Sequence, residues 1–204
     1  RIGRALGDAE MKRAHRALAE RAEAALASAT DRGDLRAAWI VHLAHVDPDA
    51  AARALVGSPP GTSAVALRPA ADAVVRAGCD DPRAIQRCAE IYVEAGEPAR
   101  ALELVVRRMA RRPPEEERFT LRQLAGQCYA QMGDSRRGVA VLRRILPSAT
   151  TGQRREEHAK VAAALSLALL KRGADAEAAR IVQDALAVAP EAEESVRLDL
   201  LVNA

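Results

Sequence analysis

A glycine that recurs in one sequence context constrains the fold of this chain more than any other feature. Gly96, Gly133 and Gly173 each end one helical pattern of apolar residues and precede another. Gly133 lies 37 residues after Gly96, and Gly173 lies 40 residues after Gly133. A glycine permits a tight turn between two helices, so this spacing predicts a series of helical hairpins.

Side chains of similar size stand at fixed distances from these three glycines and from Gly33. Four residues before the glycines stand Ala29, Tyr92, Tyr129 and Leu169. Five residues after them stand the small residues Ala38, Ala101, Gly138 and Ala178, and nine after them stand His42, Val105, Leu142 and Val182. We predict that the small residues lie where the two helices of a hairpin cross, because a larger side chain would push the helices apart.

Helical periodicity dominates the whole chain, and no segment alternates as a strand does. We predict eleven helices, with an interruption near Pro69, at about 8–31, 35–46, 48–56, 64–77, 83–95, 98–112, 115–132, 135–146, 153–172, 175–188 and 191–202. The predicted fold is therefore all-α, a solenoid of stacked antiparallel helix hairpins. Residues 1–82 would form divergent hairpins and residues 83–204 regular ones with a terminal helix, in one continuous array.

The composition is typical of a helical chain whose charged residues form a solvated surface along its whole length. Hydrophobic residues make up 49% of the chain, aromatic residues only 2% and charged residues 29%. No apolar run approaches the 18 residues that a membrane-spanning helix needs, so we expect no membrane insertion. The three cysteines have no CxxC spacing, which argues against a disulfide framework or a zinc site, and Cys88 and Cys128 are interpreted as small buried residues.

The pattern around the glycines resembles the tetratricopeptide repeat family. The resemblance is good for 83–114 and 120–147, fair for 159–190 and weak for 19–48. Ile85, Arg122 and Ala162 stand where the family has a Trp, which leaves related helical-hairpin solenoids as alternatives. The resemblance implies a right-handed superhelix that binds a peptide or a partner helix in its concave groove, as an interaction or scaffolding module.

In the resembled family the first helix of each hairpin lines the groove. The matching polar positions of this chain are Arg83, Gln86, Glu90, Glu94, Gln123, Gln127, Gln131, Lys160 and Lys171. Family members that bind a C-terminal carboxylate use Lys and Asn at such positions, whereas this chain has glutamines and Glu90. The departure argues against a terminal carboxylate and favours hydrogen bonds to a peptide backbone.

Two alternative functions remain open from the sequence. The second helices carry an arginine stripe, Arg100, Arg107, Arg111, Arg137 and Arg144, which could meet nucleic acid or another anionic surface. Nearby glutamates and the scarcity of aromatic residues make nucleic acid the less favoured partner. The other alternative is a regulatory or self-associating region of a larger signalling, secretion or transcription protein, since the chain starts at Arg1 and ends in an apolar stretch.

No group of residues predicts catalysis or a cofactor. His42 and His45 have a spacing compatible with metal ligation, but His42 occupies a packing position of the repeat, so we predict no metal site. His15 and His158 lie in charged helices and are expected to be solvated. No phosphate-binding glycine loop is present, and we predict that the chain is not an enzyme. The Ala- and Arg-rich composition is typical of a GC-rich bacterial gene, and cytoplasmic residence is the default expectation.

Overall fold

Ten α-helices and no strand make up the part of the chain that the computed structural model describes, which is residues 2–28, 33–59, 61–149 and 155–188. The helices are α1 Ile2–Ser28, α2 Gly33–Val46, α3 Pro48–Val56, α4 Ala64–Arg76, α5 Pro82–Glu94, α6 Pro98–Met109, α7 Glu115–Gln131, α8 Ser135–Ala149, α9 Arg155–Leu170 and α10 Asp175–Val188. The predicted all-α class is confirmed for these residues. The predicted eleventh helix, 191–202, lies outside them.

Two prolines lie inside helices that we expected to stop or break there. α4 continues through Pro69, where the sequence predicted an interruption, and α8 continues past Pro147, where it predicted an end. Both prolines are exposed. A proline ring deprives the carbonyl four residues earlier of its partner, but on an exposed face water can hydrate that carbonyl. Exposure of this face explains why both helices tolerate a proline.

The helices fall into two compact units, Arg1–Glu97 and Pro98–Ala204. This division lies one helix beyond the boundary at residue 82 that the sequence predicts. In the first unit α2 packs against α1, α3 and α4, and α5 packs against α3 and α4. Its interior is filled by the fully buried aliphatic side chains Ile40, Leu55, Leu67, Val74 and Ile91.

The second unit is a run of helices in which each one packs on the next, from α6 to α10. In addition, α7 packs against α9, the second helix after it in the chain. One core of aliphatic and small side chains joins α7, α8, α9 and α10, and it includes Leu142, Leu165 and Leu169. A smaller cluster of mostly alanines and Val182 lies between α9 and α10.

The recurrent glycines close the helices as the sequence predicts. Gly96, Gly133 and Gly173 have φ angles of +78°, +86° and +70°, in the left-handed region that favours glycine. At Gly173 the backbone N–H donates to the Leu170 carbonyl at 2.9 Å, and the next N–H donates to the Leu169 carbonyl at 3.1 Å. This pair of bonds satisfies carbonyls that the helix end would otherwise leave open.

Gly33 does not belong to this set, which corrects the predicted register of the first hairpin. It is the first residue of α2 rather than a turn residue. Ala38, which the register placed at the helix crossing, is exposed, whereas Ala37, Ile40 and Ala44 form the buried face of α2. The true crossing face is therefore one residue out of register with the predicted one.

Replacing Gly173 by Ala should destabilise the protein through backbone conformation alone. A Cβ at Gly173 would meet no atom within 4 Å, so no clash contributes. The left-handed conformation should cost Ala about 1–2 kcal/mol in the free energy of unfolding, measured by urea denaturation. Gly7→Ala is the matched control, because Gly7 also has open space but lies inside α1, where Ala should be neutral or stabilise by up to about 1 kcal/mol. Equal effects of the two substitutions would contradict this account.

Candidate functional site

The hairpin of α7 and α8 is built on two glycines that face each other across the helix crossing. A Cβ placed on Gly138 would lie 3.1 Å from both the Ala130 nitrogen and the Gly126 carbonyl oxygen. A Cβ on Gly126 would lie 2.6 Å from Cγ of Leu142, whose side chain fills the space above it. The predicted crossing of small residues is confirmed in this hairpin, and it leaves the polar side of α7 facing outward.

In the helices before and after Gly96 and Gly173, other positions of the register are buried as the pattern requires, whereas Tyr129 is half-buried. Ala101, Val105, Val182 and Ala178 are at most 1% exposed. Tyr92 is also buried, and its hydroxyl donates to Oδ1 of Asp72 on α4 at 2.8 Å. The register therefore identifies residues that build the helix packing, and the candidate binding residues are those that it leaves at the surface.

All nine residues of the predicted groove are at least partly exposed. In the first unit, Arg83, Gln86, Glu90 and Glu94 lie on α5. The Gln86 amide donates to Glu90 at 2.9 Å, and Arg87 lies 3.3 Å from Glu90 and 3.9 Å from Glu94. The polar face of α5 is thus a hydrogen-bonded network in which the acidic side chains already have a cationic neighbour.

In the second unit the predicted groove residues lie on α7, on α9 and, for Lys171, directly after α9. The two helices pack against each other. We call the amide face the set Gln123, Gln127 and Gln131 on α7 with Lys160, Leu167 and Lys171 at α9. The glutamines are four residues apart and follow one side of α7. The Lys171 ammonium donates to the Ala130 carbonyl at 3.2 Å, which fixes the end of α9 beside the end of α7.

Leu167 is the apolar member of the amide face. Its side chain is 38% exposed, although its neighbours Ala168 and Leu169 are buried. Lys160 and Lys171 stand before and after it along the chain. The face thus combines amide groups that donate and accept hydrogen bonds with one aliphatic contact and two positive charges.

The arginine stripe occupies exposed positions on α6 and α8, with Arg111 in the turn that follows α6, but several arginines of this surface are already paired. Arg137 of the stripe lies 3.4 Å from Asp134, and its guanidinium stacks over the Tyr129 ring at 5.9 Å. Arg143 pairs with Glu177 on α10, and Arg108 forms a two-pronged bond with Glu117 on α7. These ion pairs tie helices together and reduce the positive charge that the sequence suggested for this surface.

Both cysteines that the sequence assigned to the interior are buried, as predicted. Burial raises the pKa of the Cys88 thiol to about 12 and that of Cys128 to about 11. Each thiol is therefore protonated at neutral pH and poorly nucleophilic. The Cys88 sulfur lies 3.8 Å from the Ala71 carbonyl oxygen, a weak hydrogen bond between α5 and α4.

Three histidines come together in the first unit, and the sequence interpretation of His15 as solvated was wrong. His15 Nδ1 of α1 lies 3.0 Å from His42 Nδ1 of α2, and the His15 ring stacks on His45 with centroids 4.0 Å apart. Residues 15 and 45 are equally far in sequence from residue 30, which lies beside the predicted turn. A hairpin brings such positions to the same level, so the sequence contained a signal for this histidine contact. The stacked rings are only 12° from parallel, so their in-plane lone pairs do not converge on one metal ion. No group of three or more acidic, histidine or cysteine side chains in the described residues has a geometry that could hold a metal.

His158 is a second histidine whose predicted environment was wrong. The residue is only 5% exposed at the start of α9, and its Nδ1 atom has no hydrogen-bond partner among the described residues. Burial lowers the pKa of the His158 imidazole, and the charge of Asp184 opposes that shift. Its charged neighbours Glu157 and Lys160 are exposed, which is why composition alone suggested a solvated side chain.

No protein-family model matches the chain, and no curated protein or solved structure is significantly similar to it. Among the described residues, no helix combines the length and the apolar character that crossing a membrane would require.

Proposed function

We propose that this chain is a protein-interaction module, a tetratricopeptide-like solenoid of helical hairpins that holds an extended peptide on the amide face. The observation that carries the proposal is the packing of α7 on α9 beside the successive hairpin contacts of the second unit. In such an arrangement first helices lie next to one another, so their polar residues form a continuous surface. A binding surface of this kind needs no cofactor and performs no chemistry.

The chemistry of the amide face suits a peptide backbone. Each glutamine carries both a donor and an acceptor, which matches the alternating N–H and C=O groups of an extended chain. Lys160 and Lys171 are eleven residues apart, so they are separated by about 16 Å along a helical path. That length corresponds to about five residues of extended peptide. We infer a ligand with an apolar side chain for Leu167 and acidic residues toward its ends.

Selection from a random peptide library tests this proposal, because such a library samples ligand sequences without favouring any one of them. The selected peptides would be measured by fluorescence anisotropy against the unmodified chain and Gln123→Ala/Gln127→Ala. We expect the double substitution to weaken binding about tenfold or more, because a few central contacts usually dominate such an interface. Circular dichroism should show unchanged helix content, since neither glutamine is buried.

A matched control separates this face from the alternative surface. Arg107→Ala/Arg144→Ala removes two exposed residues of the arginine stripe and should leave peptide affinity unchanged. If the arginine substitutions weaken binding and the glutamine substitutions do not, the amide face is not the site. Binding of an RNA or DNA oligonucleotide that falls steeply with salt would favour the stripe instead. A chain that selects no peptide and forms dimers would favour the self-association alternative.

A further inference from the structure

The three clustered histidines join the long first helix to the rest of the first unit. His15 lies midway along α1, and His42 and His45 lie on α2. His15 forms the hydrogen bond with His42 and stacks on His45, so one ring of α1 contacts two rings of α2. These contacts do not belong to the amide face or to the arginine stripe.

The bond between His15 and His42 depends on their protonation. Two Nδ1 atoms 3.0 Å apart can share one proton, with one ring donating and the other accepting. If both rings become imidazolium ions, both Nδ1 atoms carry hydrogen and neither can accept. The contact then changes from a hydrogen bond into a repulsion between two donors of like charge.

The charges around the cluster add to this repulsion. Arg76 of α4 is the cation that acts on His45, while His42 is acted on by His15 and His45. Among the described residues, no carboxylate is one of the groups that shift the pKa of His42 or His45. Asp47 accepts from the Ala50 backbone N–H at 2.9 Å, and Asp49 of α3 acts electrostatically on Cys79. Protonated histidines would therefore face one another and an arginine.

α1 packs along much of α2, but the side chains that residues 7–27 of α1 bring to this contact are mostly small or half-buried. Ala19 is the one fully buried side chain among residues 7–27 of α1, and the other residues of that stretch are exposed or half-buried. Met11 and Leu18 are 58% and 42% exposed. Small and half-buried side chains contribute less hydrophobic stabilisation than large buried ones, so electrostatic changes at this contact alter how firmly α1 is held.

We propose that this histidine cluster is a pH-sensitive latch, which holds α1 against α2 at neutral pH and releases it when the histidines are protonated. The released helix would expose the apolar positions of α1 and part of the α2 face that it covers. The latch is independent of the proposed peptide site, which lies in the other unit.

The pH range follows from the direction of the shifts. Burial, with the neighbouring positive groups, lowers the pKa of His42 and of His45 from the usual value of 6.5. A group with a lowered folded pKa is neutral in the latched state and takes up a proton on release. The latched state is therefore favoured above about pH 6.5 and weakens progressively as the pH falls below that value.

Hydrogen exchange of α1 measures the latch directly. Exchange would be followed by mass spectrometry at pH 7.5 and pH 5.5, with a chelator present and with rates corrected for the intrinsic pH dependence. We expect protection of α1 to fall about fivefold or more at the lower pH, the factor that repulsion between two close charges gives in a water-like dielectric. Peptides from α9 and α10 should keep their relative protection, and His158→Gln should not alter the change in α1.

Two comparisons decide whether the cluster is responsible. His15→Gln/His42→Gln/His45→Gln keeps hydrogen-bonding groups but cannot titrate, so its α1 protection should be the same at both pH values. In the unmodified chain, 0.5 M NaCl should reduce the loss at pH 5.5, because salt screens the repulsion. A pH-independent α1, or a loss unchanged in the triple variant or by salt, would overturn the proposal. The salt comparison holds even if the triple variant fails to fold.

Discussion

Gly138→Val should lower the free energy of unfolding by about 3 kcal/mol, one of the two largest effects we expect from a single substitution in this chain. The first side-chain carbon would already press on backbone atoms of α7 at 3.1 Å. Backbone in the middle of a helix cannot move aside without disturbing its own hydrogen bonds. The two helices must separate instead, and the core behind them loses contact.

Ala140→Val is the matched control for this measurement. Ala140 lies two residues along α8 at an exposed position, so valine there costs only the small difference in helix propensity, roughly 0.5 kcal/mol. Urea denaturation of the two variants gives the comparison. Similar midpoints for Gly138→Val and Ala140→Val would show that the crossing is looser than 3.1 Å implies.

The opposing glycine allows a sharper test of the same crossing. At Gly126 the obstacle is the Leu142 side chain, which a second substitution can remove. Gly126→Ala and Leu142→Ala should each destabilise, but the double variant should be more stable than the sum predicts, by about 1 kcal/mol or more. If the two losses of unfolding free energy simply add in the double variant, a side chain at residue 126 does not compete with Leu142 for the same space.

Leu169→Ala should cost about 2–5 kcal/mol, the second large effect, because Leu169 is 1% exposed within the core that joins α7 to α10. Truncation removes three carbon atoms and leaves a cavity that a packed helix bundle fills poorly. Leu169 also stands four residues before its turn glycine, where Tyr92 and Tyr129 stand in the other hairpins.

Leu167→Ala makes the same chemical change two residues away on the same helix. Since Leu167 is 38% exposed, its truncation should cost roughly 1 kcal/mol or less in unfolding free energy. The same substitution should instead weaken the binding of any peptide selected on the amide face. The register is contradicted if Leu167→Ala destabilises as much as Leu169→Ala.

Helix positions and the packing register of the regular hairpins were predictable from the sequence because both depend on local rules. Periodicity locates an amphipathic helix, and a positive φ at Gly133 or Gly173 requires glycine whatever lies around it. Pro69 misled the prediction because its effect depends on exposure, which is a property of the fold. The same is true of His158, whose neighbours in sequence are charged although its own face is buried.

The candidate surface was predictable only as a set of exposed positions. Spacing placed Gln123, Gln127 and Lys171 outside the core, but the bond from Lys171 to Ala130 joins residues 41 apart in the chain. The pairing of Arg143 with Glu177 likewise depends on how α8 meets α10. Such pairings decide which charges a partner can use, and they follow from the folded geometry.

Each unit contains one deeply buried thiol, Cys88 in the first and Cys128 in the second. A protonated, inaccessible thiol reacts with an alkylating reagent only while the surrounding helices have transiently opened. The labelling rate of each cysteine therefore reports how often the helices around it open within its own unit. Because the two residues yield distinguishable peptides, one time course in the unmodified chain would report whether the units open together or independently.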